Sequence, residues 1–356
     1  MAALGERIAA LIAAQGPISV AQFMALALHD PESGYYATRD PFGRAGDFIT
    51  APEISQMFGE MLGLWLGQAW MDQGGPKNTH LVELGPGRGT LMADALRVLK
   101  RVPGFFDQVQ LVLVEASATL REIQKDRLKE CGARIRWTTH FDLADAPLFL
   151  IANEFFDALP VRQFVRTAKG WRERMVVVKD GALNFALAPQ ITPAAAIPAS
   201  RAGAPEGGIY ETSPAATALI AEVARLIARH GGAALLLDYG YADVGYGETL
   251  QAVRAHKSRP VLADPGMNDL SAHVDFAALA QAAQSEGARV FGPVGQGAFL
   301  DRLGIGARAG KLAAANPAQA GEIKEALDRL TAPARMGSLF QAISLLPSAA
   351  PAPPGF

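Results

Sequence analysis

The sequence predicts an α/β protein built on an open, mostly parallel sheet of seven strands, and three observations carry that prediction. From about residue 79 onward, short apolar runs alternate with helical segments, the signature of βαβ units. The runs at 80–84, 110–114 and 148–152 are mainly apolar, as strands covered on both faces are. A Gly-x-Gly-x-Gly turn, Gly85 to Gly89, follows the first run directly, where an open sheet of this kind places its ligand.

The elements follow in chain order. Residues 1–75 read as helical: Ile54, Phe58, Met61, Leu62 and Trp65 recur at spacings of three and four and form one apolar stripe. The Gly- and aromatic-rich stretch 34–52 between these helices reads as a loop. After the glycine turn comes a helix through Leu91, Ala95, Leu96 and Leu99, then a second strand at 110–114, a charged helix at 117–130, and strands at 135–137 and 148–152. The pattern then breaks. Segments 171–178 and 182–187, joined by Lys179-Asp180-Gly181, read as an antiparallel hairpin, and the Ala/Pro/Gly-rich 188–208 as an exposed loop. The insertion spans about 166–210. A helix at 214–230 leads to a fifth strand at 233–237. Beyond it lie a helix at 276–286, a strand at 289–291, helical turns at 298–304 and 317–330, and a last strand at 339–345. The expected organisation is an N-terminal helical part, 1–75, a sheet-bearing domain, 76–346, and a disordered tail, 347–356.

Composition narrows the function classes. Of 356 residues, 50% are hydrophobic and 19% charged, with a formal net charge of −2. No broad basic field is implied, so nucleic acid is not an expected partner. Cys131 is the single cysteine, which excludes an intramolecular disulfide and a multi-cysteine zinc site and suits a reducing compartment. The six histidines, at 29, 80, 140, 230, 256 and 273, form no close pair at ligand spacing, so no metal is expected. No apolar run reaches the ~20 residues needed to span a bilayer, and the N-terminus has no leader pattern. These features predict a cytoplasmic protein of bacterial type.

The first chemical signal is Glu83-Leu84-Gly85-Pro86-Gly87-Arg88-Gly89-Thr90-Leu91. Glycines let the backbone turn sharply and let a ligand approach without meeting a Cβ. The second strand runs into Glu115, whose carboxylate can accept both hydroxyls of an adenosine ribose. That pairing suits either a dinucleotide or S-adenosylmethionine. Two details favour the latter: the glycines fall at 85, 87 and 89, without a glycine three places after the second, and Glu83 would repel a pyrophosphate but can anchor an ammonium. The candidate cofactor contacts are Glu83, Gly85, Pro86, Gly87, Gly89, Thr90, Leu91 and Glu115. Asp142, after the third strand, is a candidate acceptor for an adenine amino group.

The second signal is Asn153-Glu154-Phe155-Phe156-Asp157-Ala158-Leu159-Pro160, at the end of the fourth strand and beside the expected methyl-bearing sulfur. Methyl transfer is an in-line displacement that depends on alignment. Carboxylates can fix a guanidinium plane and accept its proton, and aromatic faces stabilise cations. Glu154, Asn153 and Asp157 are the candidate catalytic residues, and Phe155 a candidate substrate contact. Capping by Asn153 or Asp157 and core packing by the phenylalanines are the competing structural roles.

With these motifs in view, the sequence resembles the MidA family, whose mitochondrial members act as complex I assembly methyltransferases. The resemblance covers roughly residues 3 to 346. It rests on GDFITAPEISQMFGE at 46–60, ELGPGRGTL at 83–91 and NEFFDALP at 153–160, supported by Asp238-Tyr239-Gly240, HVDF at 273–276 and GPVGQ at 292–296. It implies a class I, Rossmann-like methyltransferase fold and S-adenosylmethionine as cofactor. It also implies symmetric dimethylation of an arginine on a complex I core subunit or its bacterial counterpart. The GDFITAPE segment can then fold over the cofactor, adding Asp47 and Glu53 to the substrate contacts. Two other functions stay open at this level: a methyltransferase for another nitrogen or small molecule, and an assembly factor that binds the cofactor without turnover. A nicotinamide-dependent oxidoreductase is a weaker third.

Overall fold

A computed structural model describes residues 3–38, 50–242 and 245–356. Asp47 lies outside the described residues. Seven strands form the central sheet: β1 (Thr79–Leu84), β2 (Val109–Val114), β3 (Ile135–Thr138), β4 (Leu148–Asn153), β5 (Gly232–Tyr241), β6 (Arg289–Gly295) and β7 (Phe340–Leu346). Their spatial order is β3-β2-β1-β4-β5-β7-β6. Pairing is parallel from β3 through β5, and β7 runs antiparallel to both neighbours. A two-residue strand, Val274–Asp275, adds to the far end of β5. The chain reverses its winding between β1 and β4, which opens a crevice beyond their carboxyl ends.

Burial explains why these runs are strands. All six residues of β4 are buried, and the two faces of the sheet are closed by separate apolar clusters. On one face lie helices α1 (Gln56–Asp72) and α2 (Thr90–Leu99). They approach backbone to backbone: a Cβ on Gly63 would sit 2.7 Å from the Ala95 carbonyl oxygen. On the other face lie α3 (Pro214–His230) and α4 (Phe276–Ser285). Ser213 caps α3 by accepting from Ala216 N, Pro214 opens it, and Ile220, Val223, Ala224 and Ile227 pack inward.

Four expectations need correction. The hairpin, 170–179 with 182–187, belongs to a five-stranded sheet with Arg162–Thr167, Ile209–Thr212 and the N-terminal pair Ile18–Ser19. The N-terminal part is therefore not wholly helical: Ile18 and Ser19 pair with Val176 and Met175, so its first two helices pack against the insertion. A three-stranded sheet within 251–271 and a helix, Ile305–Ala315, had no clear period in the sequence. Finally, the tail is packed: Phe356 lies 5.2 Å from Phe299, centroid to centroid, and Arg302 donates to the Gly355 carbonyl. The Phe356–Phe299 pair, the Arg302 hydrogen bond and the burial of Ala350 outweigh the proline-rich composition that suggested disorder.

Candidate active site

Beyond the carboxyl ends of β1 and β4 lies a cleft of about 410 Å³. It is lined by the strap Thr50, Pro52 and Glu53, the β1 turn from Glu83 to Leu91, and Asn153 with Glu154. Three carboxylates, Glu53, Glu83 and Glu154, thus share one opening.

The β1 turn is possible because Gly85, Gly87 and Gly89 all adopt positive φ, at 61°, 53° and 76°. Gly85 has a second constraint, since a Cβ there would meet the Phe155 ring at 2.7 Å. Glu83, the last residue but one of β1, is 3% exposed, and its Oε2 has no hydrogen-bond partner among the described residues. Burial, aided by the nearby charge of Glu115, pushes its carboxyl up to about 8. Glu115 is also buried and raised by burial, but Ser117 N donates to its Oε1 at 2.8 Å and Gln124 Nε2 to its Oε2 at 3.2 Å. Those bonds favour the ionised form.

Glu154 follows β4 with φ of 49°, a left-handed conformation that a non-glycine residue adopts only when its surroundings hold it. The holding group is Asp238 on β5. Its Oδ2 accepts from the backbone N–H groups of Phe155, Phe156 and Asp157 at 3.0–3.2 Å, gathering the turn around one carboxylate. Asp238 is pushed well above the usual range by burial and by the charges of Asp157 and Glu154. Glu154 Oε1 accepts from Ala51 N at 2.9 Å and Asn153 Nδ2 at 3.2 Å. Its carboxyl is raised by burial to about 7, close to the poise of a neutral-pH proton acceptor.

The strap is fastened at two points. Ala51 donates to Glu154, and Glu53 accepts from the Thr90 hydroxyl at the start of α2. The cleft therefore brings together Glu53, Glu83, Gly85, Pro86, Gly87, Thr90, Leu91, Asn153 and Glu154. Other candidates lie elsewhere. Gly89 caps α2 under the turn, Glu115 sits at the end of β2, and Phe155 packs on Gly85. Asp157 is turned toward Tyr239, whose hydroxyl donates to its Oδ2 at 2.6 Å, and it is raised to about 6 by burial. It caps no helix through its side chain. Asp142 is exposed and does not line the cleft. Two residues the sequence reading did not assign are central to the geometry. Asp238 had a visible signal, a carboxylate ending an apolar strand. Gln124 had none, because a polar residue on a charged helix looks like a solvated one.

A family model described as "Putative S-adenosyl-L-methionine-dependent methyltransferase" matches residues 61–294. The chain belongs to this family. It is an S-adenosylmethionine-dependent methyltransferase with a class I fold. Among its relatives, the mitochondrial protein arginine methyltransferase NDUFAF7 of Rattus norvegicus is 40% identical, with 94% of this chain and 82% of that one aligned. The Homo sapiens protein of the same name is 39% identical over 94% of this chain and 81% of its own. A Burkholderia thailandensis protein described as a "likely methyl transferase" and solved with S-adenosyl-homocysteine bound superposes with a TM-score of 0.86. It shares 31% identity and covers 98% of this chain and 93% of its own.

The cleft suits this cofactor on its own chemistry. A buried carboxyl oxygen of Glu83 lacks a partner among the described residues, and a cation beside it would favour the ionised form and complete it. The glycine turn presents bare backbone beside it. Among the described residues, no group of three or more His, Cys, Asp or Glu is placed to hold a metal ion.

Proposed function

We infer that the enzyme methylates an arginine of a protein partner. The observation that carries this reading is the acidic cleft: Glu53, Glu83 and Glu154 converge on one opening, and Glu154 is held by Asp238, Asn153 and the strap with one oxygen already committed. Both of these hydrogen bonds to Glu154 fall on Oε1, which leaves Oε2 as the acceptor offered to an incoming guanidinium N–H. The relatives named protein arginine methyltransferase support the same substrate class.

When bound, the cofactor supplies an electrophilic methyl group. The chain's residues do the rest. Glu83 offers charge to the ammonium of the methionine moiety, the turn from Gly85 to Leu91 receives that moiety, and Glu115 accepts from the ribose hydroxyls. Glu154, with Asn153 fixing its plane, orients the guanidinium so that one nitrogen faces the methyl carbon. Transfer to that nitrogen would break the methyl carbon's bond to the cofactor's sulfur, which would leave as the neutral thioether, and the proton lost from the nitrogen would pass to Glu154. Asp157 acts one step further back, through Tyr239 and the turn, and Phe155 shapes the floor beside Gly85. The strap, fastened through Ala51 and Glu53, borders the cleft and keeps water from the reaction.

The resemblance to the MidA family extends the proposal to symmetric dimethylarginine on a complex I core subunit or its bacterial counterpart, and to the cytoplasm as the place of action in a bacterium. Labelled S-adenosylmethionine and complex I from cells lacking this protein test the substrate. Wild type should place label on an arginine, and Glu154→Gln should place at most about 1% as much. Label on another residue type, or full transfer by the variant, removes the reading.

A further inference from the structure

Gln124 lies on the helix Ala118–Leu128, yet its side chain is 0% exposed and both polar atoms of its amide are engaged. Nε2 donates to the Gly87 carbonyl at 2.7 Å and to Glu115 Oε2 at 3.2 Å, and Oε1 accepts from Trp137 Nε1 at 3.0 Å. An indole N–H can only donate, so the amide oxygen must face Trp137 and the NH₂ must face the turn and the acid. One buried amide thus joins β3, the end of β2 and the turn after β1.

The consequence for Glu115 is specific. Ser117 N occupies one lone pair of Oε1 and Gln124 one lone pair of Oε2, so each oxygen keeps an acceptor site and the carboxylate plane cannot rotate freely. Two free sites on two fixed oxygens match the two hydroxyls of a vicinal diol. The same amide holds the Gly87 carbonyl, which fixes the peptide joining Gly87 to Arg88 in the cofactor turn.

We propose that Gln124 is a positioning residue for the nucleoside: by locking the Glu115 carboxylate to the glycine turn, it sets affinity for the cofactor and selectivity for its ribose diol. The proposal rests on Glu115 as the ribose-reading acid. Gln124 bonds the cofactor turn and Glu115 rather than Glu154, so its loss falls more on cofactor affinity than on the rate at saturating cofactor.

Calorimetry on the full chain tests this with S-adenosylhomocysteine and its 2′-deoxy analogue as probes. Gln124→Leu should weaken S-adenosylhomocysteine about 10- to 100-fold, the range for hydrogen bonds to a charged group, a larger factor than any fall in kcat. Wild type should lose at least about tenfold on removal of the 2′-hydroxyl, and the variant less than about threefold. Trp137→Phe, which keeps the amide but frees it to flip, should reproduce the loss of discrimination in part. Unchanged affinity in Gln124→Leu beside a loss in Glu115→Gln overturns the role of Gln124. Equal losses for both probes overturn it as well, since they report packing damage. Unchanged affinity in Glu115→Gln overturns the ribose reading itself. If Gln124→Leu does not fold, native affinity and native discrimination in Trp137→Phe overturn the proposal.

Discussion

Replacing Glu83 by glutamine should make the ligand-free enzyme more stable at alkaline pH and unable to hold its cofactor. The folded-state carboxyl is raised from 4.5 to about 8 by burial and by Glu115. Between those values the folded protein binds more protons at this site than the unfolded chain, so stability falls as pH rises. The contribution is intact below pH 4.5 and is lost progressively up to about 8. At 1.36 kcal/mol per unit, the full window is worth about 5 kcal/mol, and about 4 kcal/mol of it is lost by pH 7.5. Glutamine removes this pH dependence but buries an amide with no partner, a cost of about 1–3 kcal/mol at every pH. The variant should therefore be less stable than wild type near pH 4.5 and more stable near pH 8. An unfolding entropy of about 2.1 cal/mol/K per residue over 356 residues converts the 5 kcal/mol window into a swing of about 6–7 °C in Tm. Calorimetric scans of both proteins across pH, with and without S-adenosylmethionine, read it out. At 100 times its Kd the cofactor should return about 2.7 kcal/mol to wild type and nothing to the variant. A Tm difference that does not change with pH, or equal stabilisation of both by the cofactor, refutes the assignment of Glu83 as a buried acid awaiting a cation.

Other expectations follow from the same geometry. Glu154→Gln should lower kcat about 10²- to 10⁴-fold while calorimetric affinity for S-adenosylhomocysteine stays within a few-fold. In wild type, log(kcat/KM) should rise with slope one below about pH 7 and level above it, because the carboxylate is the active form and burial places its midpoint there; the variant should lack that limb. Asp238→Ala removes the acceptor of four backbone N–H groups, those of Phe155, Phe156, Asp157 and Tyr239, and should destabilise the fold by roughly 2–4 kcal/mol in urea titrations, with activity lost faster than cofactor affinity. Gly85→Ala forces a Cβ to 2.7 Å from the Phe155 ring at φ of 61°, and should cost about 1–3 kcal/mol and weaken cofactor binding in the same calorimetric assay.

The sheet was legible because most residues of its central strands are buried on both faces, which makes those strands largely apolar. β4 and α3 emerge within a residue of their predicted ends. The additions around it were not, for a physical reason. Strands such as Arg162–Thr167 and Gln251–Arg254 lie in small sheets whose stability comes from distant partners, and two-residue Ile18–Ser19 has no period at all. The same distinction separates the site residues. Glu83, the glycines and Glu154 sit at strand ends, where topology alone places them in the crevice. Asp238 and Gln124 act through contacts 81–83 and 9–37 residues away in the chain, and only folding brings those partners together. Asp157 shows the converse. Its position beside Glu154 suggested chemistry, but the 3₁₀ turn at 156–158 rotates it toward Tyr239.

A crystal structure of the chain with S-adenosylhomocysteine tests the central claim most directly. The account predicts the ribose hydroxyls on the two oxygens of Glu115, the ammonium beside Glu83 Oε2, and the sulfur facing Glu154 across the opening closed by the strap. A ligand seated elsewhere, or one whose ammonium and ribose avoid Glu83 and Glu115, would contradict it.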